Sequence, residues 1–357
     1  MTKAEYEAAY RSARKTYPNI TRSTMIRLKR TYTSASKRVA EIIKDAERTG
    51  KADLTIAAWE QVNRQLSAAA TDISNQLYNV VPQSSRTAID ITAKIQEEYL
   101  FDAVTAAGAT KLITHVGIQN MFIGVNDRVI RSVVNRIYKR GYTFSESCWQ
   151  AGQYYQAQIK DVISSGIAMG RSSIQIAKDV QVYTAGNKGT LAYRYGPNLF
   201  RPKDLDSFRK GKLSKIDWKA VEAKYGASKT KIFKNFMKRI GDKVDYRALR
   251  LVRSELYMSL QDAAKAQGQA CPACKDLYDW VMEAGREHWD CDCPSIAKNG
   301  PYEHDKIPGY PHANCRCDIR PILRDSKEFH ADLKKWVNGE PVDYMDKWYH
   351  GEYKNAS

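Results

Sequence analysis

Long apolar runs are missing from this 357-residue chain. The nearest approach, residues 112–125, is interrupted by His115, Gln119, Asn120 and Gly124 and falls short of the roughly 18 apolar residues of a membrane span, so no membrane partner is expected. The opening MTKAEYEAAYRSARK holds no apolar signal core, which predicts synthesis in a reducing cytoplasm. Catalytic signatures are missing too: there is no His-Glu-x-x-His, no phosphate loop of the Gly-x-x-x-x-Gly-Lys-Ser/Thr kind and no Gly-x-Ser-x-Gly elbow. A zinc deaminase would need His-x-Glu upstream of Pro-Cys-x-x-Cys; here Ala270 precedes Cys271 and no His-x-Glu comes before it. No enzymatic activity is expected. Acidic residues are also in deficit, 40 against 57 Lys and Arg, a net charge of +17. Such an excess repels itself unless it meets an anionic partner, and nucleic acid is the commonest.

Cysteine is scarce but concentrated. Six of the seven lie between residues 271 and 317, as Cys271, Cys274, Cys291, Cys293, Cys315 and Cys317, together with His288, His304 and His312. In a reducing compartment such clustered thiols bind metal more often than they form disulfides. The spacings Cys-x-x-Cys, Cys-x-Cys and His-x-x-Cys-x-Cys put donors on tight turns, where they can converge on a tetrahedral cation at roughly 2.3 Å. Pro272, Pro294, Gly300, Pro301, Pro308, Gly309 and Pro311 predict loops and short extended pieces here. Structural zinc is the expected cofactor, and with so few large apolar side chains the segment is expected to fold only with its metal. Two pairings remain open. One joins Cys271 and Cys274 to Cys315 and Cys317, with His312 as a substitute; the other uses Cys291, Cys293, His312 and Cys315 or Cys317. Counting His288, the eight donors are also enough for two tetrahedral sites.

The remainder reads as helix. Apolar residues recur near every 3.6 positions at Tyr6, Tyr10 and Ala13, and again at Met25, Leu28, Tyr32, Ala35, Val39, Ile42 and Ile43, with Pro18 predicted to separate the two runs. A further helix over residues 54–81 is predicted to stop at Pro82, and another to run from 84 to 107. Asn126 or Asp127 is read as the cap of the next one. Lone Cys148, on an apolar helix, reads as a small core residue. Residues 246–267 form a strong helical pattern with Leu249, Val252, Leu256, Leu260 and Ala263 on one stripe; Arg250, Arg253 and Glu255 fall off it and read as structural ion-pairing groups. Between residues 186 and 245 sixteen basic residues face six acidic ones and alternate with aromatics. Two short amphipathic helices are expected there, with an exposed basic face for non-specific double-stranded DNA formed by Arg209, Lys210, Lys212, Lys215, Lys231, Lys234, Lys238 and Arg239.

The fold class expected is mainly α, a multi-helix body with a small loop- and β-rich, zinc-stabilised C-terminal module. Five segments are delimited: an assembly region 1–107, a helical core 108–185, the basic insert 186–245, a helix plus metal module 246–325 and a tail 326–357.

The ending Tyr310-Pro311-His312-Ala313-Asn314-Cys315-Arg316-Cys317, followed by Ile319 and Pro321, resembles the His-Pro-Asn-Cys-Arg-Cys ending of the phage Mu F-like minor head proteins, a head-morphogenesis family of tailed phages. Arg253-Ser254-Glu255 is similar to that family's Arg-Thr-Glu helix, and GRSSIQIAKDV at 170–180 to its Gly-x-Ser helix. The likeness covers about residues 150–325, with Ala313 standing where the family usually has proline. It implies a structural virion protein, assembled in the host cytoplasm and located in the head interior or near the portal. Its partners would be the portal protein and capsid or scaffolding protein, and it would contact the genome during packaging or ejection. The segment from Glu287 to Cys293 resembles a second family pattern, which favours one zinc drawing on both the 291/293 and 315/317 pairs. The rival readings are a zinc-supported DNA-binding protein and a His-Asn-His-like nuclease using His312 as base and Asn314 as its orienting group.

Overall fold

The computed structural model describes residues 1–48, 56–138, 141–185, 216–240, 245–283, 291–312 and 315–355; side chains at 46–48, 56 and 236–240 are outside the description. Among these residues the chain is mainly helical, with eleven α-helices and one three-stranded antiparallel sheet near the C-terminus. Two helices dominate, α1 (Lys3–Arg48) and α2 (Ile56–Ala106). Each runs straight through the proline expected to end it, Pro18 and Pro82. An interior proline costs about 3 kcal/mol. What offsets it is burial on both sides, with Tyr17, Val80, Val81 and Ser85 excluded from solvent.

The chain forms two compact units, each assembled from separated segments. The first comprises Met1–Thr24, Asn79–Phe144 and Arg250–Ser357. Here Tyr6, Tyr10, Ala13 and Tyr17 of α1 pack with Ala88, Ile89, Tyr99 and Leu100 of α2 and with α3 (His115–Val134). Thr114, not Asn126 or Asp127, caps α3, accepting from the Gly117 N–H at 3.1 Å. Asn126 is instead buried in mid-helix, where its amide donates to Asp90 and its carbonyl oxygen accepts from Gln267, both at 2.8 Å.

Three helices, α4 (Phe144–Ala168), α5 (Ser173–Thr184) and α6 (Trp218–Tyr225), precede α7 (Ala227–Ile240) and α8 (Tyr246–Ala270). In the second unit, Met25–Tyr78 and Ser145–Leu249, Leu28, Tyr32, Val39, Leu66, Ile73, Tyr155 and Ile159 are buried, Cys148 among them as read. Ser172 and Gln175 close a reciprocal cap on α5, which satisfies two otherwise orphaned N–H groups. Gly152 lets α4 approach α2 closely: a Cβ there would lie 2.2 Å from the Ala70 carbonyl oxygen.

In the first unit the chain leaves α8 for β1 (Cys274–Val281), then α9 (Cys293–Asn299), β2 (Tyr302–Glu303) and β3 (Asp318–Leu323), in sheet order β2-β1-β3. Regular structure is thus fuller here than the prolines suggested. The stretch after β3 is no loose tail: α10 (Ser326–Val337), capped by Asp325, and α11 (Asp343–Trp348) bury Phe329, Leu333, Met345 and Trp348, and the π-helical turn that follows, Tyr349–Tyr353, buries Tyr353. Asp325 accepts from the Lys327 and Glu328 N–H groups, and these bonds hold its carboxyl below the usual range.

Candidate metal centre

The β1/β3 register decides which cysteines meet. Trp280 faces Ile319 and Val281 faces Asp318, so Cys315 and Cys317 arrive beyond the far end of β1, whereas Cys274 faces Leu323 at the near end. Seven residue steps along the strand separate Cys274 from Val281, roughly 23 Å. Cys271 and Cys274 therefore do not join the terminal motif, and the pairing that combined them with Cys315 and Cys317 is not the one the fold assembles. They are buried in the helical core instead, with the Cys274 thiol 4.0 Å from the Gln96 side-chain Oε1. The neighbouring Cys271 sulfur and burial push the Cys274 thiol far above its ordinary range.

Two overlapping triads form at the other end: Cys291, Cys293 and His312, and Cys293, Cys315 and Cys317, with the donor atoms of each triad within 4.8 Å of one another. Cys293 belongs to both. Its sulfur lies 3.6 Å from the His312 Nε2 and 3.6 Å from the Cys315 sulfur. Ligands about 2.3 Å from a tetrahedral ion stand roughly 3.8 Å apart, and these two spacings match that separation. Cys293, Cys315 and Cys317 are buried, while Cys291 and His312 are partly exposed.

Local sequence explains each placement. Cys293 opens α9 with Pro294 behind it, a residue suited to the first helical turn. The Cys315 N–H donates to the His312 carbonyl at 3.1 Å, and the Cys317 N–H to the Cys315 sulfur at 3.5 Å, so the motif wraps its own thiol. Two side chains brace it: Tyr310 donates to the Cys315 carbonyl at 2.8 Å, and Gln261 of α8 to that of Cys317 at 3.2 Å. Tyr278, Trp280, Ile307 and Ile319 give the module a small core of its own. Without a cation the Cys293 and Cys315 thiols stay protonated. Burial and its sulfur neighbours push the Cys293 thiol up to about 12, and Cys315 goes higher still through its contact with Cys317 and its burial. A metal ion would displace those protons on binding.

His288 lies outside the described residues, as do Arg209, Lys210, Lys212 and Lys215. Lys231 and Lys234 are exposed on α7, with the Lys234 ammonium 5.5 Å from the centre of the Trp218 ring; Lys238 and Arg239 are on the same helix, their side chains outside the description.

The sequence reading missed how deeply Glu255 is placed. It is fully buried, accepting from the Tyr138 hydroxyl at 2.5 Å and pairing with Arg136 at 3.1 Å, while Arg136 also reaches Asp262 at 2.8 Å. Burial raises its carboxyl pKa despite Arg136 and Tyr138. The spacing of Glu255, Ser259 and Asp262, four and then three residues, was a legible signal of a second inward face on α8.

No known protein family, characterised protein or solved structure matches the chain.

Proposed function

We propose that this chain is a minor head protein of a tailed phage, a non-enzymatic component that associates with the portal during procapsid assembly and contacts the genome non-specifically. One observation carries the reading: two of the segments on which the family resemblance rests converge in space. Ser254 of the Arg-Ser-Glu helix interacts with the Tyr310 hydroxyl, which holds the Cys315 carbonyl, and the same helix holds Cys317 through Gln261. Motifs about sixty residues apart thus form one structural unit around the Cys/His cluster.

In this reading the cluster holds one structural zinc, closed by Cys293, Cys315, Cys317 and either Cys291 or His312. Thiolate-rich tetrahedral donor sets select zinc, and a filled set leaves no position for an activated water. Against the nuclease reading, the His312 ring already lies at ligand distance from Cys293. Mass spectrometry of purified procapsids and virions tests the assignment, with co-purification of portal protein as the expected result. Absence from both particles would remove it.

A further inference from the structure

From residue 8 to residue 40 the chain has nine Lys or Arg and no Asp or Glu, all on α1. Three of these cations are used internally: Arg11 pairs with Glu7, Arg14 donates to the Val281 and Met282 carbonyls, and Arg38 pairs with Asp72. Arg27, Lys29, Arg30 and Lys37 differ. All four are exposed, and no carboxylate among the described residues pairs with them.

Helical geometry gathers them. At about 100° per residue, Ile26, Lys29, Arg30, Thr33 and Lys37 fall within roughly a 100° sector, with Ser34 about 40° and Arg27 about 60° beyond it. Ile26, Lys29, Arg30, Thr33, Ser34 and Lys37 line one shallow groove. The four cations span about 15 Å of helix, comparable to the width of a DNA groove. Thr33 and Ser34 put hydroxyl donors between them, the mixture that contacts phosphate and sugar oxygens. Among the described residues Ile26 is the one apolar side chain lining the groove, whereas protein-binding sites centre on aromatic or aliphatic anchors.

We infer that this face of α1 is a binding site for the phosphodiester backbone of double-stranded DNA. The inference rests on the genome-contact part of the proposed function and locates it outside the basic insert. Four neutralised phosphates contribute about 3.6 to the log–log salt slope, which is roughly a 150-fold loss of affinity between 50 and 200 mM salt.

The test measures binding of the full-length, zinc-loaded protein to a 30-base-pair duplex of arbitrary sequence across that salt range. With Arg27, Lys29, Arg30 and Lys37 all changed to alanine, the slope should fall by three to four, while circular dichroism and zinc content stay unchanged. Lys37→Ala alone should remove about 0.9, which guards against misfolding of the quadruple variant. An unchanged slope in both variants overturns the assignment. If the slope instead collapses in Lys210→Ala/Lys212→Ala/Lys215→Ala alone, the α1 site is wrong and genome contact survives. Absence of DNA binding by the unaltered protein at 50 mM salt overturns both. Loss of portal binding in the quadruple variant, with the DNA slope intact, gives the face to an acidic protein and likewise overturns the site.

Discussion

Replacing Cys293 by serine removes the one donor common to both triads, so it should cost the protein its metal whichever of Cys291 and His312 completes the set. The consequence for stability follows from linkage. Zinc at a thousandfold excess over its dissociation constant stabilises the form that binds it by about 4.1 kcal/mol. The unit containing the cluster has roughly 200 residues, a size at which 1 kcal/mol moves the melting temperature by about 2–4 °C. Zinc-loaded protein should therefore melt about 8–16 °C above chelated protein in that unit's transition, and Cys293→Ser should melt with the chelated form at any zinc concentration. Scanning calorimetry with parallel elemental analysis measures both. Hydrogen exchange should place the loss in residues 291–317, whereas β1 and α8, which bury Tyr278, Trp280, Val252 and Leu260, keep their protection. Identical melting with and without zinc, or full zinc occupancy in Cys293→Ser, would refute the reasoning.

Cys271→Ser, Cys274→Ser and Cys148→Ser should each retain zinc, and Cys315→Ser should lose it; retention in Cys315→Ser together with loss in Cys271→Ser would mean that the hairpin register is wrong. Gly117→Ala should destabilise by roughly 1–3 kcal/mol in denaturant titration, because a Cβ would lie 2.3 Å from the Tyr353 hydroxyl oxygen; adding Tyr353→Phe should recover part of it. Glu255 titrates with its folded pKa above the ordinary 4.5, so the native state binds the proton more tightly. Its contribution to stability is fully present below about 4.5 and is lost as pH rises through the folded value, a slope that Glu255→Gln should abolish. Arg136→Ala removes the charge opposing that burial and should cost about 3–5 kcal/mol near pH 7, but less at a pH below the folded value of Glu255, where the protonated carboxyl needs no cation. Equal losses at the two pH values would contradict the pairing.

Periodicity alone determined that the chain is mainly helical. Tyr6, Tyr10 and Ala13, or Val252, Leu256 and Leu260, declare a buried stripe because a helix returns side chains to one face every 3.6 residues, whatever packs against them. Spacing alone likewise marked Cys291, Cys293, Cys315 and Cys317 as donors, since two thiols on a short turn point together locally. Which donors join was a matter of distance across the fold, and the antiparallel register decided it by carrying Cys271 and Cys274 to the opposite end of a strand. The prolines show the same division. Pro18 and Pro82 are local penalties of a few kcal/mol, legible as breaks, and only tertiary burial of the residues around them was large enough to carry the helices through. Glu255 was legible as an ion-pairing group off the apolar stripe, but not its partners Arg136 and Tyr138, more than a hundred residues earlier in the chain. A buried charge is stable only beside its partners, and the partners are a property of the fold.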